Sequence, residues 1–196
     1  MEVLIEIFAV LLGFAYVMLA ILENRVCWIF GFFSSFIFLF IFYQSEIYMQ
    51  ALLQIFYCFV AVYGWLNWGS QSNPLPITRI GILKSIFYFL FAALLFFVIY
   101  SLIRDLSIAF IPIDLFISIL AITATYLASE KKIENWFFWI IVDLLTIYLL
   151  VSQGLFVSSL MYVIYFFMSV IGLLKWHKNL KAIWKAVLFL RSEEHT

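Results

Sequence analysis

Three prolines and seven glycines are all that this chain of 196 residues has to interrupt a helix. Two cysteines and two histidines are all it has of thiol and imidazole ligands. Charge is as scarce, with Lys, Arg, Asp and Glu making up 11% of the residues, against about a quarter in an ordinary globular domain. A water-soluble domain is thereby excluded, because the chain lacks the polar side chains to cover one. With a formal net charge of zero there is no basic field to attract nucleic acid, and no such partner is expected.

Cys27 and Cys58 lie inside apolar runs without disulfide or metal spacing, so they read as buried free thiols. Both histidines, His177 and His195, fall in the C-terminal tail. No G-x-S-x-G, H-E-x-x-H or Walker A motif occurs. The expectation is no enzyme, no catalytic residue, no metal and no cofactor.

What the chain has is apolar length: 67% of its residues are hydrophobic and 21% aromatic, and mean hydropathy is +1.15. About 20 apolar residues cross the hydrocarbon core as a helix. Seven such runs can be read, at 2–22, 26–44, 47–68, 81–102, 108–128, 133–151 and 155–176. The first has Glu2 and Glu6 but no basic start and no cleavage site after it, so it is expected to remain as a span.

Basic residues fall in alternate loops. Arg25, Arg79, Lys84, Lys131 and Lys132 lie in or beside the loops after runs 1, 3 and 5, and Lys175, Lys178, Lys181 and Lys185 lie at or beyond the end of run 7. The remaining loops carry Arg104. The positive-inside rule then places the N-terminus outside and the C-terminal tail, 177–196, in the cytoplasm, with the basic segment "KWHKNLKAIWKA" on the lipid surface. The last six residues, "RSEEHT", match one reading frame of a sequencing adapter, and 191–196 are read as artefactual.

The chain also repeats itself. Glu23, Asn24 and Trp28 recur as Glu134, Asn135 and Trp139, an E-N-x-x-x-W pattern found once in each half. Gln50, Gln54, Tyr57, Ala61, Gly64 and Trp68 form one helical stripe, matched in the second half by Ser158, Tyr162, Tyr165, Ser169, Gly172 and Trp176. The offsets of the two matches are unequal, which implies a three-residue indel between the copies. Trp68 and Trp176 also have the position of interfacial anchors. Spans 1–3 and 5–7 thus read as parallel copies joined by span 4, an architecture of transporters with a site between the repeats near the midplane. The expected units are 1–68, 69–107 with the connecting helix, 108–176 and the 177–196 tail.

Run 6 contains the stretch "IENWFFWIIVD". At about 100° per residue, Asn135, Trp136, Trp139, Asp143 and Thr146 share one arc of about 100°. Asn24, Trp28, Gly31 and Ser35 share a comparable arc of span 2. The two motifs can face each other across a cavity lined also by Gln50, Gln54, Tyr57, Tyr162 and Tyr165. A carboxylate in a membrane costs about 2.5–3.5 kcal/mol on insertion scales and needs a partner. No span has a Lys or Arg near mid-depth, which leaves a proton or a cationic ligand. The flat indole faces of Trp136 and Trp139 favour a planar cation, and the amides can serve its polar groups. Glu6 and Asp114 are expected nearer the outer interface, with Asp114 after a kink at Pro112. The same residues are also compatible with a structural role for Trp136 and Asp143, or with a receptor that binds without transporting.

These motifs resemble the PnuC family of bacterial vitamin transporters. The likeness rests on "ENRVCWIFGFFSS", "IYMQALLQIFYCFVAVYGWLNW", "IENWFFWIIVD" and "QGLFVSSLMYVIYFFMSVIGLLKW"; spans 1, 4 and 5 agree by hydropathy. The resemblance implies an all-α integral membrane protein of the bacterial inner membrane. Its seven transmembrane helices would form two three-helix bundles joined by a connecting helix, similar to SWEET sugar transporters. It also implies uptake of nicotinamide riboside by facilitated diffusion, with trapping by cytoplasmic phosphorylation. The family motif carries over to Asn135, Trp136 and Trp139. Asp143 departs from it, since Asn is frequent there, and this disfavours the neutral relative riboflavin while leaving thiamine open. Proton symport through Asp143 is the other variant. A homo-oligomer, with three copies as the first expectation, completes the reading.

Overall fold

The computed structural model of the chain describes residues 2–45, 48–70, 72–104 and 112–193. Seven α-helices account for most of them: α1 Glu2–Ile21, α2 Cys27–Gln44, α3 Tyr48–Asn67, α4 Ile82–Ile103, α5 Pro112–Ser129, α6 Asn135–Ser152 and α7 Phe156–Glu193. Helix is the expected form because backbone N–H and C=O groups in lipid must be satisfied within the segment. Each helix contains a stretch of 18 residues or more apolar enough to cross a membrane, and 18 residues rise about 27 Å, close to the hydrocarbon thickness of about 30 Å.

Helix bounds follow local chemistry. Pro112 is the first residue of α5, where its missing N–H and fixed φ suit a helix start. Residues 108–111 of the expected span, and with them the expected kink before Asp114, lie outside the described residues. At the end of α6, Gly154 adopts φ 75°, while Gly154 N–H donates to Val151 O at 3.0 Å and Leu155 N–H to Leu150 O at 2.9 Å. This is a Schellman cap with glycine in its left-handed position. α7 does not stop where run 7 ends but continues through the basic tail to Glu193. That helix includes 191–193, and 194–196 lie outside the described residues.

Six helices close a ring. α1 packs on α2, α2 on α3, α3 on α5, α5 on α6, α6 on α7, and α7 returns to α1. α4 stands outside it against α5. Of α4's side chains Ala92 is buried, whereas Leu83, Ile82 and Leu102 are more than 70% exposed. This is the 3+1+3 architecture, with α4 as the connector.

The two halves superpose in sequence at one constant offset. α2 begins at Cys27 and ends at Gln44, α6 begins at Asn135 and ends at Ser152, and the spacing from Cys27 to Asn135 equals that from Gln44 to Ser152. Backbone bonds repeat at the same offset: Glu23 N–H to Ala20 O and Asn24 N–H to Leu19 O, then Lys131 N–H to Ala128 O and Lys132 N–H to Leu127 O. No indel separates the copies, and Trp28 corresponds to Trp136. The E-N-x-x-x-W match stands out of this register and is a coincidence of sequence, for Asn24 lies in the α1–α2 turn while Asn135 is the first residue of α6.

Both α1 and α5 end in Schellman caps whose left-handed residue is not glycine: Glu23 at φ 58° and Lys131 at φ 51°. A side chain there costs about 1–2 kcal/mol. The two residues form an ion pair, Lys131 Nζ to Glu23 Oε2, at 3.3 Å.

The α3–α4 connection covers the same end of the ring. It makes a small hairpin, β1 Gly69–Ser70 with β2 Asn73–Pro74, and then runs beside the α5–α6 turn, with Ile133 N–H donating to Thr78 O at 3.0 Å. The Glu134 carboxylate accepts the N–H groups of Ile80 and Gly81, at 3.2 Å each, which anchors the start of α4.

Candidate functional site

The ring encloses a cavity of about 260 Å³. All six ring helices line it and α4 contributes nothing. Of the side chains singled out in the sequence, Trp28, Gln54, Tyr57, Asn135, Trp136, Trp139, Asp143, Tyr162 and Tyr165 share this cavity. Two do not line it. Asn24 is exposed, and its Oδ1 accepts the Val26 N–H at 3.0 Å, shaping the α1–α2 turn. Gln50 lies towards the opposite end of α3, where its Nε2 donates to Asp114 Oδ2 at 3.4 Å.

The floor of the cavity is a row of four indoles. Trp28 and Trp68 meet edge to face with centroids 5.5 Å apart, Trp68 and Trp176 are 6.0 Å apart, and Trp176 meets Trp136 edge to face at 5.4 Å. Edge-to-face contact suits the ring quadrupoles. The central pair crosses between repeats: Trp68 Nε1 donates to Ala128 O at 3.0 Å and Trp176 Nε1 to Ala20 O at 3.1 Å. Trp68 and Trp176 are thus packing and hydrogen-bonding elements of the site's base, a fuller role than interfacial anchoring. The outer pair stands against glycine. A Cβ at Gly64 would overlap the Trp28 ring, and one at Gly172 would come within 2.6 Å of Trp136. The Nε1 atoms of Trp28 and Trp136 are buried without a hydrogen-bond partner.

The repeat makes the scaffold symmetrical but not its chemistry. Where α2 has Gly31 and Ser35, α6 has Trp139 and Asp143; where α3 has Ala61, α7 has Ser169. All six line the cavity, so its acid and extra indole belong to one wall. Asp143 is 3% exposed, and its Oδ2 accepts the Ser169 hydroxyl at 2.9 Å. Among the described residues no Lys or Arg lines the cavity. The carboxylate therefore faces a space with no fixed positive partner. Asn135, 1% exposed, already uses one amide N–H on Lys132 O, at 2.6 Å, and keeps its other N–H and its carbonyl. Thr146 shares the helical arc but bonds back to Val142 O at 2.8 Å and does not line the cavity.

The opposite wall is neutral and hydroxyl-rich. Tyr16, Ser34, Ser35 and Tyr57 line it together with the Gln54 amide. Tyr16 was not legible in sequence. It sits in an otherwise apolar first span, and its place depends on Gly31, where a Cβ would approach the Tyr16 ring to 2.9 Å. Tyr165 stacks on Phe14 with centroids 4.7 Å apart, joining α7 to α1. Cys27 is buried and Cys58 half-buried, both as free thiols.

Known proteins resemble this chain over most of its length. A family model described as "Nicotinamide mononucleotide transporter" matches residues 3–178. The curated nicotinamide riboside transporter PnuC of Escherichia coli (strain K12) is 28% identical over 202 residues, covering 88% of this chain and 84% of its own. The Shigella flexneri protein of the same name matches equally. Among solved structures, that of the vitamin B3 transporter PnuC shares the fold, with a TM-score of 0.75 at 21% identity over 91% of this chain and 82% of the other.

Proposed function

Because the chain belongs to the nicotinamide mononucleotide transporter family, a family of membrane transporters, we propose that it carries nicotinamide riboside by facilitated diffusion. The observation that supports this reading most is the Asp143 carboxylate, held by the Ser169 hydroxyl but without a positive partner, beside Trp136 and Trp139 in a cavity without basic side chains. Nicotinamide riboside is a planar pyridinium cation bearing a carboxamide and a ribose. The ring suits the α6 wall through charge and cation–π attraction, each aromatic contact contributing about 0.5–2 kcal/mol. Ribose hydroxyls suit Tyr16, Ser34, Ser35, Gln54 and Tyr57 on the other wall. Asn135, Tyr162 and Tyr165 are the proposed partners of the carboxamide.

The family description names the mononucleotide, and the relatives' names the riboside. The cavity chemistry favours the riboside. A phosphate brings negative charge that would need a Lys or Arg clamp, and the cavity lining offers Asp143 in its place.

The proposed setting is the bacterial inner membrane, with the N-terminus outside and the 22–26, 69–81 and 130–134 loops facing the cytoplasm. Cytoplasmic phosphorylation would then hold the substrate inside, and a homo-trimer is the proposed assembly, checked by light scattering in detergent. A buried carboxylate without a basic partner also suits a proton, so symport through Asp143 is the second reading. Uptake that survives an uncoupler, with phosphorylation intact, would remove it.

The deciding experiment titrates intrinsic tryptophan fluorescence with nicotinamide riboside, nicotinamide mononucleotide, thiamine and riboflavin, followed by uptake into proteoliposomes. Quenching and uptake with the riboside support the proposal. Thiamine in its place reassigns the vitamin, binding without uptake makes the chain a receptor, and no response to any of them defeats the site.

A further inference from the structure

We infer that Glu23 and Lys131, together with the indole row beneath the cavity, form the loop-side gate of the transport path, and that passage requires the pair to separate. The inference rests on the transporter reading above, but the first arm of its test does not need the substrate.

Position is the first argument. Trp68 and Trp176 line the cavity and bond to carbonyls of the opposite repeat. Lys131 Nζ lies 4.9 Å from the Trp68 ring centroid and does not line the cavity. Going from cavity to loops, a solute meets the indoles and then the ion pair.

The second argument is that the pair bridges the repeats at equivalent heights. Glu23 and Lys131 are counterparts in the two repeats and occupy the same left-handed cap position. Glycine would fill that position without strain, so capping alone does not call for a charged residue at either. Their opposite charges do something glycine cannot, which is to hold the ends of α1 and α5 together. Asn179 on α7 adds a bond from Nδ2 to Glu23 Oε1 at 2.6 Å, and Lys131 Nζ donates to Leu75 O in the α3–α4 connection at 2.8 Å. One contact thus ties α1, α5, α7 and the covering loop.

The third argument comes from the floor itself. Its central indoles have N–H partners, while Trp28 and Trp136 have none. A buried donor left unpaired is costly, so this closed arrangement carries an unmet demand in each repeat. A rearranged floor that lets those N–H groups reach water, ligand or backbone removes that cost, which is the property expected of an element with two arrangements.

The test uses the full-length protein with Cys27→Ala and Cys58→Ala, and Ser35→Cys as a reporter in the cavity. Inside-out membrane vesicles expose the loop face to an impermeant maleimide. Glu23→Gln should raise the labelling rate at least tenfold, and the exchange of Glu23→Lys with Lys131→Glu should return it to the starting value. Equal rates in all three overturn the gate. A second arm covers variants that fail to fold: with Ser35 restored, Glu23→Cys and Lys131→Cys are joined by a short bis-methanethiosulfonate, which forms a disulfide with each thiolate and releases sulfinate. Cross-linking should abolish nicotinamide riboside uptake while fluorescence quenching persists, and reductant should restore uptake. Uptake undiminished in the cross-linked protein overturns the inference. Absence of quenching in the unmodified protein counts against the proposed substrate, and the labelling arm then judges the gate alone.

Discussion

The Trp136 ring lies against Gly172 so closely that a Cβ there would fall 2.6 Å from the indole, and in the first repeat Trp28 stands in the same relation to Gly64. Each glycine is a cut-out for the tryptophan that borders the cavity. Replacing Gly172 by Ala is expected to push Trp136 into the cavity and weaken nicotinamide riboside binding about tenfold, roughly 1.4 kcal/mol. Fluorescence titration checks this. Gly64→Ala should act in the same direction, and unchanged affinity in both would mean that the indole positions do not matter to binding.

Asp143 contributes charge as well as shape. Asp143→Asn keeps the Ser169 contact but removes the negative charge, and is expected to lower affinity for the pyridinium at least tenfold. Charge-assisted contacts are worth about 1.5–3 kcal/mol. The neutral dihydropyridine analogue should lose little. Calorimetry on both ligands separates the two effects, and equal losses would show a merely structural carboxylate.

Trp139 occupies a place where the first repeat has Gly31. Trp139→Leu is expected to reduce affinity by about 2- to 30-fold, the equivalent of about 0.5–2 kcal/mol of cation–π attraction. Trp139→Phe should recover part of it. A Leu variant that transports normally would place the stacking on Trp136 alone.

Ala92 on α4 is buried, 1% exposed, while Leu83 on the same helix is 80% exposed. Ala92→Leu overpacks the α4–α5 contact and should destabilise the protein by about 1–3 kcal/mol, seen as a lower melting temperature in detergent. Leu83→Ala should leave that temperature unchanged. The reverse pattern would mean that α4 is held chiefly by its outer face.

Much of this was legible in the chain before folding. Seven apolar runs of spanning length, the alternation of basic loops and the matching stripes on α3 and α7 follow from hydropathy and periodicity, which are local properties. The α6 arc was readable for the same reason: helix geometry alone brings Asn135, Trp136, Trp139 and Asp143 to one side. The register between α2 and α6 was not. A three-residue slip preserves a helical face almost as well as no slip, so sequence alone favoured the longer motif match that pairs Trp28 with Trp139.

Sequence by itself determined that the protein lies in a membrane, that it is built twice over, and that an acid and two indoles share a helix face. These need only the solvent preference of side chains and about 3.6 residues per turn. Tertiary structure alone decided which distant groups meet. Tyr16 joins the cavity because Gly31 leaves it room, Asn24 and Gln50 are spent on a turn and on Asp114, and the indoles of Trp28, Trp68, Trp136 and Trp176 form one floor. Glu23 finds Lys131 across the repeat. Those contacts depend on how six helices close into a ring, and no single segment carries that information.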